Sequence, residues 1–240
     1  MARRKITLPR LIAGGTLLGL LAVLAYVVYL QFRTPPHERN EGFRPLATGF
    51  NSHGIDVSHY QGDIDWDRLI KKSSVKISFV FCKATEGTSL LDKRWRRNYE
   101  ELRKRNIPVG AYHYFKPNKD AAEQAHFFLK HYQPNQSDLP PVIDVEEEST
   151  SSIKLRNDVK RWMDIVQQKT GRQPIIYTNY FMFSTVFKPH FRNYTFWIAN
   201  YSDRPERMKD DRIQYWQYTD QGMVPGIDEN VDLNMSKVKF

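Results

Sequence analysis

From about residue 52 onward, short apolar stretches alternate with amphipathic ones. "HGIDVS" precedes "DWDRLIKKS", "KISFVFCKAT" precedes "LLDKRWRRNYEELRKRN", and "IPVGAYHYF" precedes "NKDAAEQAHFFLKHYQ"; "PPVIDV" and "QPIIYTN" are likewise followed by "SIKLRNDVKRWMDIVQQKTG" and "YFMFSTVFK". Apolar runs rich in β-branched and aromatic residues predict strands, and apolar positions recurring every three or four residues predict helices. Five strand–helix units result. Asp65 and Asn118 stand where helix caps are expected, Gly171 closes the fourth helix, and Pro108 and Pro174 open the strands that follow helices. The last part of the chain differs: "YTFWIANY", "RIQYWQYT" and "IDENVDLN" are strand-like, with short polar connections and little room for helices. Regular alternation places a parallel sheet inside a layer of helices, and eight strands in ~190 residues are enough to close an α/β barrel.

Ahead of this pattern, residues 11–31 begin with "LIAGGTLLGLLAVLAYVVYL", a run without a charged residue and of the length that crosses a bilayer as a single helix. Arg3, Arg4, Lys5 and Arg10 precede it, so the positive-inside rule puts residues 1–10 in the cytoplasm and the bulk of the chain outside the cell membrane, periplasmic or extracellular. A cleavable signal peptide would have a shorter apolar core followed by a small-x-small site, which "AYVVYLQF" does not offer. Residues 32–51, with Pro35, Pro36 and Pro45, read as a spacer, and 52–240 as the folded domain. Small residues at Gly15 and Gly19 do not by themselves make a helix dimer, and the domain is expected to act as a monomer.

With 40% hydrophobic and 13% aromatic residues the chain can bury a sizeable core. Its formal charge of +9 is unevenly spread: the first 51 residues hold seven Lys/Arg against two Asp/Glu, which leaves 29 against 25, or +4, beyond them. A mildly basic exported domain suits an anionic polymer such as a cell wall, and no nucleic-acid partner is expected. Cys82 is the single cysteine, so no disulfide forms within the chain; inside an apolar strand it packs as a small hydrophobe. His59, His113 and His126 show no metal-ligand spacing, and neither metal nor cofactor is expected. "NQS", "NYT" and "NMS" match glycosylation triplets at Asn135, Asn193 and Asn234, a pattern common by chance.

Each strand carries polar or aromatic groups at or near its end: Asp56 in the first, Glu86 after the second, Tyr112 and Tyr114 in the third, Asp144 and Glu146 at the fourth, Tyr177, Trp197 and Trp216 in the next three, and Asp232 in the last. The carboxyl ends of barrel strands form one rim, so these residues are expected to converge there. Residues two apart on a strand share a face, which puts Asp144 and Glu146 together and Val145 opposite. Crowding and burial then make one of the two hold its proton to higher pH, giving an acid beside a base. Glycosidic bond cleavage needs such a pair, and aromatic rings supply flat faces for sugars. Glu147 and Glu148 read as the start of a solvated loop.

The ordered set "GIDVSHYQGDIDW", "FVFCKATEG", "VGAYHYF", "PPVIDVEE", "IIYTNY", "FWIANY", "YWQYT" and "GIDENVDLN" resembles the family 25 glycoside hydrolases, lysozymes that cut the β-1,4 bond between N-acetylmuramic acid and N-acetylglucosamine in peptidoglycan. The resemblance covers residues 53–240 and implies a TIM-like, flattened (β/α)5(β)3 barrel. It also implies that Glu146 is the proton donor, that Asp144 orients the substrate's 2-acetamido group or a water, and that Asp56 and Asp232 organise hydrogen bonds around them. Tyr112 and Tyr114 would lie near the reacting sugar, with Glu86, Tyr177, Trp197 and Trp216 contributing to the groove. A D-x-E pair is similar to that of enzymes using the substrate's own acetamido oxygen, whereas inversion needs ~6.5–9.5 Å between carboxyl groups. Two other classes stay open at this point: a membrane-tethered wall-binding protein that generates no reducing ends, and a metal-dependent deacetylase, for which ligand spacing is missing.

Overall fold

The computed structural model describes residues 41–135, 138–202 and 204–240. Its strands are β1 (Ser52–Val57), β2 (Ile77–Glu86), β3 (Leu90–Leu91), β4 (Val109–Tyr114), β5 (Val142–Asp144), β6 (Ile175–Asn179), β7 (Phe196–Ala199), β8 (Ile213–Gly222) and β9 (Val231–Ser236). The helices are α1 (Trp66–Lys72), α2 (Trp95–Lys104), α3 (Ala121–His131), α4 (Ser152–Thr170) and the single turn α5 (Tyr180–Met182), which runs into a π-helical turn at Phe183–Phe187. Strand order is β1-β9-β8-β7-β6-β5-β4-β2-β3, and a parallel β1–β2 pairing closes the sheet into a barrel, with β3 appended to β2. The five strand–helix units and three closing strands follow the alternation in the sequence, but the sheet is not wholly parallel. β9 runs antiparallel to both β8 and β1.

Helix ends follow local chemistry. Asp65 accepts from the backbone N–H of Arg68, and Gly171 ends α4 in the left-handed conformation that L side chains disfavour. Asn118 does not cap α3; Asp120, next to the first helical residue, accepts from the N–H groups of Ala122 and Glu123.

Period-two alternation divides the core into two clusters. On β2, Phe79, Phe81 and Lys83 point into the barrel, while Val80, Cys82 and Ala84 meet the helices. Phe79 and Phe81 pack inside with Leu139, Val142, Ile175, Tyr177, Trp197 and Tyr215. Glycine on the neighbouring strands makes room for these rings: a Cβ at Gly54 would lie 2.5 Å from Phe79, and one at Gly110 would lie 2.4 Å from Phe81. Outside the barrel, Trp162, Phe128, Phe187 and Leu69 are fully buried between strands and helices.

The folded unit begins at Glu41, ahead of the Ser52 boundary expected from the sequence. The Glu41 carboxylate accepts from the backbone N–H and hydroxyl of Ser74, and Phe50 is buried against Trp216. The anchor expected at residues 11–31 lies outside the described residues; among the described residues no helix is long and apolar enough to cross a membrane.

Candidate active site

At the rim formed by the carboxyl ends of the parallel strands, a cavity of about 320 Å³ gathers Asp56, Asp144, Glu146 and Asp232 with Tyr112, Tyr114, Tyr177 and Trp197. These four carboxyl groups, from three parts of the chain, thus share one mouth, with Asp220 a fifth on its lining. Asp232 gets there because β9 is reversed: it stands near the amino end of its strand, directly opposite Asp56 across the antiparallel ladder. Opposed side chains on an antiparallel pair share a face, and two carboxylates so placed repel. A hydrogen bond joins them instead, which requires a proton on one.

The surrounding hydrogen bonds identify which one. The hydroxyls of Tyr177 and Tyr201 donate to Oε1 of Gln217 at 2.9 and 2.8 Å, and Gln217 Nε2 donates to Asp56 Oδ2 at 2.9 Å. From the other side, Trp197 Nε1 donates to Asn234 Oδ1 at 2.7 Å, and Asn234 Nδ2 donates to the same Asp56 oxygen at 2.7 Å. Both relays end at Asp56, and donors to a carboxylate favour its ionised form. Burial pushes Asp56 up to about 6 in spite of them, while burial and the facing Asp56 push Asp232 up to about 9. The shared proton therefore resides on Asp232 at neutral pH. Asn234, buried in this network, is not available to a glycosylating enzyme in the folded chain.

Asp144 ends β5, and Glu146 lies just past it; between them Val145 turns into the outer core, its N–H donating to the Tyr177 carbonyl. The two carboxyl groups are hydrogen-bonded to each other. Burial raises both, and proximity to Glu146 raises Asp144 further, whereas the bond from Asp144 offsets part of the rise at Glu146. Of the two, Asp144 therefore keeps its proton to the higher pH, and its Oδ1 is buried without a hydrogen-bond partner. The pair is a neutral acid against a carboxylate, with room for an incoming group to rearrange it.

Two expected groove residues stand elsewhere. Trp216 pairs with Ile198 on the outward face, packs on Phe50 and donates its indole N–H to the Asn200 carbonyl at 2.8 Å. The residue facing the mouth at this point of β8 is Gln217. Glu86 does not line the cavity; Lys83 Nζ holds it at 2.6 Å and Lys116 Nζ at 3.4 Å, so although burial alone would raise its pKa, these ammonium groups hold it below the usual glutamate value. Lys116 also reaches Glu147 at 2.6 Å, and both lysines lie over the Tyr114 ring, at 4.8 and 4.6 Å. The sequence alone does not single out Lys83, Gln217, Asn234 or Tyr201 as parts of this site. A period-two count inward from Phe81 points to Lys83, and one from Asp232 points to Asn234.

His113 faces outward against Trp162, bonded to Thr85 and Gln124, and burial lowers it to about 4. It is a neutral core histidine. His59 is held at the rim by the buried Asp92, at 2.8 Å.

Comparison with known proteins adds the lineage. Residues 55–227 match the family described as Glycosyl hydrolases family 25. YegX of Escherichia coli K12 is 38% identical over 204 residues, 81% of this chain and 75% of its own length. Lysozyme M1 of Streptomyces globisporus is 30% identical over 215 residues, covering 83% of this chain and 71% of its own. Among solved structures, a family 25 glycosyl hydrolase from Bacillus anthracis superposes with a TM-score of 0.72 at 28% identity, over 81% of this chain and 93% of that one. A matched family segment that contains Asp56, Asp144 and Glu146, on a barrel of the same fold, makes this chain a glycoside hydrolase and a member of family 25.

Proposed function

We propose that the chain is a muramidase that cleaves the β-1,4 bond between N-acetylmuramic acid and N-acetylglucosamine in peptidoglycan. The observation that carries this reading is the Asp144–Glu146 pair, a buried and an exposed carboxyl group side by side in a cleft lined by tyrosines and tryptophan. The similarity to Lysozyme M1 supports the substrate class.

In this reading the 2-acetamido N–H of the bound sugar donates to Asp144. A donor favours the carboxylate form of Asp144, so its proton passes to Glu146, which becomes the general acid. The acetamido oxygen, aligned by Asp144, attacks the anomeric carbon as the glycosidic C–O bond breaks and Glu146 protonates the departing oxygen. Water then opens the cyclic intermediate, giving its proton back to Glu146. The inverting route needs water between carboxyl groups ~6.5–9.5 Å apart, which direct hydrogen bonding of Asp144 to Glu146 does not favour. Asp56 and Asp232, carrying one negative charge between them, counter positive charge at the sugar. The charge-free run at residues 11–31 would hold this domain outside the cell membrane, against the wall.

Glu146→Gln keeps shape and removes the transferable proton. Release of reducing ends from purified peptidoglycan should fall ~10²-fold or more while binding of the glycan persists. Undiminished release would overturn the assignment.

A further inference from the structure

Tyr60 is the most exposed large hydrophobic side chain among the described residues, at 72%, and it lines the same cavity as the acids. It stands on the β1–α1 connection, four residues past Asp56, at the carboxyl end of β1 and therefore on the catalytic rim. An exposed aromatic ring on a loop is ordinarily mobile. This one is built in.

Its short 3-10 turn, His59–Gln61, is closed by a reciprocal cap: the Tyr60 N–H donates to Ser58 Oγ at 3.2 Å, and Gln61 Oε1 accepts from the Ser58 N–H at 2.8 Å. Gln61 Nε2 ties the turn to the Asn230 carbonyl at 2.8 Å, and Gly62 leaves it at φ +62, a conformation that suits glycine. The His59 ring lies beside that of Tyr60, with centroids 4.2 Å apart and planes 32° apart. His59 is itself fixed, because Oδ2 of the buried Asp92 takes both its backbone N–H at 3.0 Å and its Nδ1 at 2.8 Å. Asp92 Oδ1 is anchored in turn by the Arg94 N–H at 2.8 Å. The relay Asp92–His59–Tyr60 spends a buried carboxylate on orienting an aromatic face that is left open to solvent.

Resting on the muramidase reading, we infer that Tyr60 is a sugar-stacking platform that binds the glycan strand beside the cleavage point, and that His59 and Asp92 are positioning residues for it. The apolar face of a pyranose matches an aromatic ring, and a ring ordered in advance loses little freedom when the sugar arrives.

The test uses the full chain, with peptide-free glycan strands as the probe. Tyr60→Ala should raise KM ~3–10-fold with kcat nearly unchanged, and in the Glu146→Gln background it should weaken strand binding, measured calorimetrically, by the same factor. Tyr60→Trp and Tyr60→Phe should restore both values, and His59→Ala should reproduce part of the loss in KM with kcat nearly unchanged. Phe181, 65% exposed beyond β6 and outside the cavity lining, supplies the control: Phe181→Ala should leave KM unaltered. Strand binding by Tyr60→Ala within twofold of the parent, in a chain that does cleave the strands, would overturn the platform alone. No release of reducing ends by the unmodified chain would overturn the muramidase reading and the platform with it.

Discussion

Asp232→Asn should make this protein more stable. Asp232 faces Asp56 across the β1–β9 ladder, and its pKa is raised to about 9 by burial and by that facing carboxylate. In the unfolded chain an aspartate titrates near ~3.9. Between those values the folded state carries a proton that the unfolded state has released, so unfolding becomes easier by ~1.4 kcal/mol for each pH unit. The sign is that of a raised folded pKa: stability is fully present below the unfolded value and is lost as pH rises through the folded one. At pH 7 the span from ~3.9 sets a ceiling of ~4 kcal/mol, and water entering the mouth of the cleft reduces it to ~1–3 kcal/mol. Asparagine stays neutral throughout, and its Nδ2 can donate to Asp56 as the carboxylic acid does. Chemical unfolding of parent and variant at pH 5, 6, 7 and 8 is the assay. The variant's advantage should widen as pH rises, and a gain of ~2 kcal/mol would raise the melting temperature by ~4–8 °C. Parallel pH curves for the two proteins would refute the protonated-pair argument.

Trp216→Phe loses the indole bond to the Asn200 carbonyl and should cost ~1–2 kcal/mol of stability with KM on glycan strands unaltered, whereas Trp197→Phe frees Asn234 and should lower activity; equal effects on KM would place both rings in the groove. His113, lowered by burial to about 4, contributes stability that is present above ~6.5 and lost as pH falls towards 4, by up to ~3 kcal/mol. The stability gap between the parent and His113→Gln should therefore narrow from pH 7 to pH 4 in urea unfolding, and a constant gap would show that the buried ring accepts its charge freely.

Several of these features could be read from the chain before folding. The D-x-E spacing put Asp144 and Glu146 on one side of Val145, and Val145 lies in the outer core while the acids line the cavity. The same alternation, applied to β8, separates Gln217 from Trp216, but its phase has to be known first. A register shift between Phe196 and Trp197 in the β7–β8 pairing moves that phase, and only the paired neighbour reveals it. Glu86 stands open at the end of "FCKATE" in the sequence, yet Lys83 comes from its own strand and Lys116 from the loop after β4, and together they neutralise it. Tyr60 gave no signal at all, because exposure and bracing by His59 and Asp92 are properties of a folded loop.

The sequence by itself determined the local elements and which side chains could share a face, since strand and helix periods act over a few residues and need no partner. The tertiary structure decided which strands meet, in which direction, and so where protons reside. Reversal of β9 brings Asp232 against Asp56, and closure through β1–β2 sets that pair across the mouth from Asp144 and Glu146. Apolar alternation reads the same for parallel and antiparallel neighbours. The pKa of each acid depends on burial and on charges brought close by those long-range pairings, which no short window of the chain contains.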